Sequence, residues 1–189
     1  MSAESRTSIY RREGSDTLIE IRLREVRQIF HTLDPAPFRE KDLDEDAERY
    51  LLEACREARS HPRLRLVVHL PAQEAAKEEA RTLADSIHNY FAYRERELRT
   101  DIARLLRIGF VSLGIGIVFL VACLVLRRAL NPLPQFVDRA IVDEGLVILG
   151  WVAMWRPMEA LLYDWWPLVS RRRLLRRLAT IPVEVRVTV

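Results

Sequence analysis

Four polar side chains lie inside an apolar segment of this sequence that runs from Gly145 to Val169. They are Arg156, Glu159, Tyr163 and Asp164. A charge at the centre of a bilayer costs about 2.5–3.5 kcal/mol on insertion scales, so charged residues at that depth usually serve a function. Their chemistry would be to move protons or ions, or to bind a polar headgroup. Arg156 and Glu159 are three residues apart on one helix face and can also pair with each other.

Three interpretations of this polar cluster stay open from the sequence. The first is the transport-like or headgroup-binding site just described. The second is an ion pair that locks the second apolar helix onto the first, or onto another subunit. The third places Arg156 at the membrane interface, with only Gly145 to Trp155 dipping inward. Pro157 lacks a backbone N–H, so we expect the helix to bend there in every case.

A basic segment follows directly after the apolar one. Its sequence is RRRLLRRL, and near an anionic membrane surface each arginine contributes about 1 kcal/mol. We therefore predict that five side chains face lipid headgroups: Arg171, Arg172, Arg173, Arg176 and Arg177. Nucleic acid is not an expected partner, because 27 acidic residues nearly balance the 30 basic ones and leave a net charge of +3.

The rest of the sequence offers little catalytic chemistry. The four histidines, His31, His61, His69 and His88, show no metal-ligand spacing. The sequence also contains no glycine-rich phosphate loop, nucleophile elbow or paired metal motif. We therefore expect no enzyme activity, no cofactor and no metal ion.

The first apolar segment indicates the environment in which these residues are held. Ile108 to Leu126 is 19 residues without a charge, close to the roughly 20 that a helix needs to cross the hydrocarbon core. Gly109, Ser112 and Gly116 fall on one face of it and predict a surface for close helix packing. Together the two segments predict a transmembrane helical hairpin over residues 108–169.

The arginine distribution predicts the orientation of this hairpin. Five arginines lie just before the first span, three in the loop between the spans and five just after the second span. Arginine favours the cytoplasmic side, so both termini are expected in the cytoplasm. The loop contains Asn131-Pro132-Leu133-Pro134, and its prolines end the first helix. With 28 arginines against two lysines, the composition is typical of a GC-rich bacterial genome and indicates a bacterial inner membrane.

Patterns outside the hairpin predict a small α+β module. Three stretches, at residues 19–24, 63–70 and 181–189, alternate apolar and polar residues with the period of half-buried strands. Two amphipathic helices, one starting near Asp44 and one following Pro71, can cover their apolar faces. From residue 72 to 126 no proline interrupts the pattern, which predicts one nearly continuous helix of about 55 residues.

The predicted fold class is therefore α+β with a membrane hairpin. A strand, a helix, a strand and a long helix are followed by two transmembrane helices and a C-terminal strand that returns to the sheet of a two-layer domain. We predict a disordered tail at 1–16, a cytoplasmic domain with a juxtamembrane stalk at 17–107 plus 170–189, and the hairpin at 108–169. Heptad-like apolar spacing in the stalk predicts a homo-oligomer.

Two sets of motifs give the chain a resemblance to a known group. One set lies in the second span, and the other precedes the first helix. They are Glu144-Gly145, Trp151, Trp155-Arg156-Pro157, Glu159 and Tyr163-Asp164-Trp165-Trp166-Pro167, with Leu33-Asp34-Pro35, Pro37-Phe38 and Asp42-Leu43-Asp44. From Thr17 onward the chain resembles a family of uncharacterised bacterial two-span membrane proteins. The resemblance implies no particular activity and no site assignment.

Three functional hypotheses follow from the sequence, and a membrane-bound enzyme that uses cytoplasmic carboxylates ranks last among them. The leading one is a non-catalytic inner-membrane protein that presents a cytoplasmic α+β interaction or assembly module as a homo-oligomer. Its expected partners are the lipid bilayer, anionic headgroups and a cytoplasmic protein. The alternative is a subunit of an oligomeric pore or transport complex that uses Arg156, Glu159 and Asp164.

Overall fold

The computed structural model describes residues 10–31, 37–38, 41–130 and 139–188. Four predicted features fall outside these residues: the tail up to residue 9, the Leu33-Asp34-Pro35 motif, the Asn131-Pro132-Leu133-Pro134 loop and Val189. The chain forms two compact units, each described here by itself. Met1–Glu97 with Arg171–Val189 is called the module, and Leu98–Ser170 is called the helical unit.

A four-stranded mixed sheet organises the module. The strands are β1 (Arg12–Glu13), β2 (Asp16–Arg22), β3 (Leu64–Leu70) and β4 (Val183–Val187), and they lie in the order β1-β2-β3-β4. β1 pairs antiparallel with β2, whereas β2 with β3 and β3 with β4 are parallel. The predicted return of the last strand is confirmed, since Val185 of β4 pairs with Val68 of β3.

The first strand was not predicted from the sequence. β1 lies within residues 1–16, so the predicted disordered tail is too long at its C-terminal end. Two residues are too few to show strand alternation. The turn into β2 passes through Gly14, whose φ of +62° suits glycine far better than a residue with a Cβ.

Five α-helices and one π-helical turn complete the described chain. They are α1 (Glu45–Glu57), α2 (Ala72–Ala75), α3 (Glu78–Leu130), α4 (Arg139–Glu159), a π-helical turn (Ala160–Asp164) and α5 (Trp165–Leu178). Short 3₁₀ turns occupy Val26–Ile29 and Ala58–Ser60. The α1 start agrees with the sequence, because the Asp44 carboxylate accepts a hydrogen bond from the Asp46 N–H at 3.0 Å and caps the helix.

The long helix differs from the prediction at its start. It begins at Glu78 instead of Ala72, because α2 is a separate turn that ends before it. Glu74 of α2 accepts a hydrogen bond from the Val26 backbone N–H at 3.3 Å and one from Lys77 Nζ at 2.5 Å. The contact with Val26 ties α2 to the 3₁₀ segment, and the contact with Lys77 is local to the turn.

The core of the module combines one sheet face with three helices. Ile19, Leu66 and Val183 are aligned across β2, β3 and β4, and the first two are fully buried. The helices contribute Leu51 and Cys55 from α1, Leu83, Ile87 and Phe91 from α3, and Leu175 and Leu178 from α5. Burial of this apolar surface stabilises the module by roughly 25 cal/mol per Å². The buried leucines of α5 were not predicted, since sequence analysis named only the arginines of that segment.

Two helical stretches are long and apolar enough to cross a membrane: Glu78–Ala129 and Glu144–Leu178. Their most apolar 18-residue windows are only 17% and 11% buried. The core helix of a water-soluble protein buries most of its apolar surface. These two helices instead leave theirs open.

Candidate functional site

Glycines hold the two helices of the helical unit close together. A Cβ added to Gly109 would lie 2.8 Å from Leu161 Cδ2, and one added to Gly116 would lie 3.0 Å from Met154 Sδ. A Cβ on Gly150 would lie 2.6 Å from Leu120 Cδ1. Each glycine therefore receives a side chain of the other helix, as small residues do where helices approach closely.

The same contacts define an antiparallel register. From Gly109 to Gly116 to Leu120 the first helix advances by seven and then four residues, while its partners Leu161, Met154 and Gly150 go back by seven and four. A residue that lies a given number of positions after Gly109 is therefore at the same height along the helix pair as the residue that lies the same number of positions before Leu161. By the same steps Arg156 is level with Gly114, and Glu159 with Val111.

Pro157 contributes to this packing. It lacks the N–H that the Ala153 carbonyl would accept in an α-helix, and that carbonyl oxygen lies 3.4 Å from the Cβ position of Gly116. This carbonyl thus lies close to the backbone of Gly116 in the neighbouring helix, as in the weak Cα–H contacts that recur at helix interfaces. A side chain at residue 116 would occupy this space.

Of the small residues predicted to pack, Gly109 and Gly116 are buried and Ser112 is half-buried. The matching face of the second helix, which carries Gly150, Ala153 and Pro157, was not singled out. Its signal is present in the sequence, because small residues recur there at a spacing of three and four. The sequence instead indicated a candidate site at Arg156 and Glu159, on the opposite side of the same helix.

The Arg156 and Glu159 side chains form an ion pair on that opposite side. Arg156 Nη1 donates to Glu159 Oε2 at 3.2 Å. The two side chains are 78% and 46% exposed, whereas Met154 and Pro157 face the neighbouring helix. The pair therefore forms within α4, away from the face that packs on α3.

The other two members of the polar cluster lie in the π-helical turn. Tyr163 is exposed and Asp164 is half-buried, and neither joins the Arg156–Glu159 pair. The indole Nε1 of Trp165 donates to the Leu161 carbonyl at 2.9 Å. π-Helical turns are uncommon and frequently occur at functional sites. The described structure thus divides the predicted cluster into an outward ion pair and an irregular turn beside it.

Three of the five arginines predicted to face headgroups have protein partners in the module. Arg171 Nη2 lies 3.4 Å from Glu48 Oε1, and Arg172 Nε lies 2.5 Å from Glu95 Oε1. Arg177 donates to the backbone carbonyls of Ala58 and His61. These three side chains tie α5 to α1, to α3 and to the turn after α1.

Arg173 and Arg176 are different. Both are exposed, and in the described part of the chain neither has an ion-pair partner. Arg171 is exposed as well but pairs with Glu48, so among the five predicted arginines only these two are both exposed and without an ion-pair partner in the described residues.

Glu48 is the centre of a second polar cluster in the module. Its carboxylate accepts a hydrogen bond from Tyr90 Oη at 2.7 Å and also lies near Arg94 and Arg171. Burial and this hydrogen bond raise the pKa of the Tyr90 hydroxyl above its usual value. The cluster joins α1, α3 and α5 through paired groups, which is the arrangement of a structural network.

An ionic ladder crosses the sheet face that lies opposite the core. Asp16 pairs with Arg65 at 2.6 Å, and Arg65 pairs with Glu184 at 3.0 Å. Arg186 then joins Glu184 at 2.8 Å to Glu13 at 2.5 Å. The ladder therefore links all four strands, and sequence reasoning did not identify it because its members are far apart in the chain.

Charge pairing in the ladder changes the titration of Glu184. Hydrogen bonds from Arg186 and Arg65 lower the pKa of its carboxyl group to about 2. The same interactions raise the pKa of the Arg65 and Arg186 guanidinium groups. Glu184, Arg65 and Arg186 therefore stay charged at neutral pH.

A cavity of about 420 Å³ lies at the N-terminal ends of β3 and β4. Its lining includes Arg63, Arg177 and Thr180. Arg63 donates to Ser15 Oγ at 3.1 Å, and Arg177 is bound to backbone carbonyls. In open parallel sheets, ligands bind at the opposite, carboxyl ends of the strands. The cavity is therefore an unusual position for a substrate.

Comparison with protein-family models, curated proteins and solved structures finds no match for this chain. Within the described residues, no group of three or more His, Cys, Asp or Glu side chains is placed to hold a metal ion. The site residues are therefore interpreted from their geometry.

Proposed function

We propose that this chain is an integral membrane protein of a bacterial inner membrane, in which the helical unit crosses the bilayer as a two-helix hairpin. The observation that carries the proposal is the exposure of two long apolar helices that pack on each other through glycines. In water this surface would favour aggregation. In a bilayer the same apolar surface contacts lipid tails, and the helical backbone satisfies its own hydrogen bonds.

The module is proposed to lie in the cytoplasm as a non-catalytic interaction or assembly domain. The arginine count around the two spans supports this orientation. Glu48, Glu95 and Glu184 are each held by arginines, which supports a structural role for these carboxylates. Arg173 and Arg176 are proposed to meet anionic headgroups, and the charged outer face of the sheet to meet a cytoplasmic protein.

Cysteine labelling tests the membrane hairpin and its orientation. In a Cys55→Ala/Cys123→Ala background, Asn131→Cys and Thr188→Cys are treated with a membrane-impermeant maleimide in intact bacterial cells. We expect Asn131→Cys to react in intact cells and Thr188→Cys to react only after the cells are permeabilised. Resistance to alkaline carbonate extraction serves as the control for membrane integration.

The contrary results are distinct. Release of the protein by carbonate would overturn the membrane assignment itself. Labelling of Thr188→Cys in intact cells, with Asn131→Cys protected, would retain the hairpin and reverse its orientation.

A second candidate function is a subunit of an oligomeric pore or transport complex. It is favoured by the outward position of Arg156 and Glu159, where several copies would bring their charges together. Replacing both with leucine distinguishes the two candidates. A structural pair tolerates joint removal better than loss of one partner. A transport pathway loses its ion flux whether one partner or both are replaced.

A further inference from the structure

One outward stripe of the helical unit combines charge with apolar surface. Val152, Arg156, Glu159, Tyr163 and Trp166 follow one another at spacings of four and three residues, and all five are exposed. This set is called the outer stripe. From Val152 to Glu159 this is the spacing at which one α-helix meets a second along a seam. The π-helical turn interrupts that period, and Tyr163 and Trp166 continue the stripe through their exposure.

The helix register places the charged part of the outer stripe deep in the apolar region. Arg156 is level with Gly114 and Glu159 with Val111, and both levels fall inside the charge-free stretch from Ile108 to Leu126. Tyr163 is level with Arg107, at the end of that stretch. If the hairpin crosses a bilayer, the ion pair lies in hydrocarbon while the tyrosine reaches the interface.

An ion pair in hydrocarbon needs a protein cover. Charged side chains within membrane spans almost always face a bundle interior or a water-filled cavity. The neighbouring helix does not cover this pair, because it packs on the other side of α4, at Gly150 and Met154, and on Leu161 of the π-helical turn. The cover must therefore come from another molecule.

A second copy of the chain fits the outer stripe by charge. The stripe carries one positive and one negative group, one helical turn apart. Two stripes that run side by side around a two-fold axis along the membrane normal place Arg156 of each copy within a turn of Glu159 of the other. Such an interface is self-complementary and closes as a dimer.

We propose that the outer stripe is the interface of a parallel homodimer, held in the bilayer by reciprocal Arg156–Glu159 pairing between two copies. The inference rests on the proposed membrane hairpin and goes beyond it by naming the partner and the surface. The tryptophan and tyrosine of the stripe extend the seam to the lipid–water boundary, where such residues are favoured.

Disulfide cross-linking of Val152→Cys tests the proposal, with Val118→Cys as a matched control. Both valines are exposed, at 66% and 70%, and both lie at the same level of the hairpin, but Val118 is on the other helix. In the Cys55→Ala/Cys123→Ala background, membranes are oxidised and covalent dimers are measured on a non-reducing gel. We expect at least tenfold more dimer from Val152→Cys. Equal yields from the two variants, or none from Val152→Cys, would overturn the interface.

Charge exchange provides the second measurement. Arg156→Glu in the Val152→Cys chain places four acids together, and we expect the cross-linked fraction to fall about tenfold. Arg156→Glu/Glu159→Arg restores complementarity and should restore the cross-link. A failure of the double exchange to rescue would contradict reciprocal pairing.

The mass of the detergent-solubilised protein separates a dimer from a pore. Two copies per particle support the proposal, while one copy, or three or more, overturns it. Carbonate extraction of each variant shows whether the hairpin is still integrated. If Val152→Cys is integrated but gives no cross-link, the dimer alone is disproved, whereas extraction of the unmodified chain disproves the proposed function.

Discussion

At the scale of single residues, arginine does much of the structural work in the module. Arg65 binds two carboxylates from two different strands, and Arg186 binds two more. The planar guanidinium group presents several donors in a fixed geometry, which a lysine ammonium cannot reproduce. Several of the 28 arginines of the chain therefore stabilise the fold of the module.

Glu184 makes the module sensitive to acid. Its pKa is lowered to about 2 in the folded state, so its contribution to stability is complete above the unfolded value near 4.5. This contribution is lost as the pH falls from about 4.5 toward about 2. We expect the free energy of unfolding of the detergent-solubilised protein to decline over this range, and the decline to be smaller in Glu184→Gln.

Glu53→Gln is the control for this titration. Glu53 is an exposed carboxylate of α1 outside the ladder. Its replacement should leave the acid dependence of unfolding unchanged. An equal effect of the two substitutions would show that the ladder does not govern acid stability.

At the scale of the elements, the packing of α3 on α4 depends on where the glycines lie. Gly116 faces the Ala153 carbonyl and Met154, whereas beyond its own helical turn no atom of the described residues lies within 4 Å of a Cβ added to Gly114. The two glycines are two residues apart on the same helix, so one substitution can be compared at a packed and at an open position.

Gly116→Leu should destabilise the helix pair, while Gly114→Leu should not. Overpacking of a close contact costs about 1–3 kcal/mol. Leucine at the open position removes a glycine from a helix interior, which is neutral or slightly stabilising. Thermal unfolding in detergent, followed by circular dichroism, gives the two midpoints. A lower midpoint for Gly114→Leu than for Gly116→Leu would contradict the helix register.

The elements also show which parts of the fold could be predicted from the sequence. Alternation identified β2, β3 and β4 because each keeps one face apolar, and helical spacing with Asp44 as a cap identified α1. The two-residue β1 has no period to detect. The basic residues around Leu175 and Leu178 concealed a buried face of α5.

The candidate site was only partly predictable for a related reason. Residues three apart, such as Arg156 and Glu159, can be paired from sequence alone, and the structure shows that pair at 3.2 Å. Whether the pair faces its neighbouring helix depends on which side of α4 packs. The contacts of Gly109, Gly116 and Gly150 decide that side. Ladders such as Arg65 with Glu184 join residues 119 positions apart, which no local pattern connects.

At the scale of the whole molecule, the part of the chain that precedes the segment between α3 and α4 contacts the part that follows it in two places. In the module, β4 pairs with β3, and in the helical unit, α4 packs on α3. A break in the connecting segment therefore leaves two sets of contacts between the halves of the chain.

Cleavage of that segment should leave the two halves associated. A protease site introduced at residues 132–134 is cut in the purified protein, and the product is examined by size-exclusion chromatography in mild detergent. We expect both fragments in one peak, because strand pairing and helix packing each bury surface that separation would expose. Denaturing electrophoresis confirms that cutting is complete. Elution in two peaks would show that these contacts are too weak to hold the chain.

The position of β4 in the sequence also constrains how the protein is made. The edge of β3 that pairs with β4 has no partner until both apolar helices have been synthesised, since Val183–Val187 follows them in the chain. Strands β2 and β3 leave the ribosome long before that, with the outer edge of β3 still open. The sheet can therefore be completed only after translation has passed both apolar helices. A nascent chain stalled between them would display an unfinished sheet, the kind of surface that chaperones and quality-control proteases recognise.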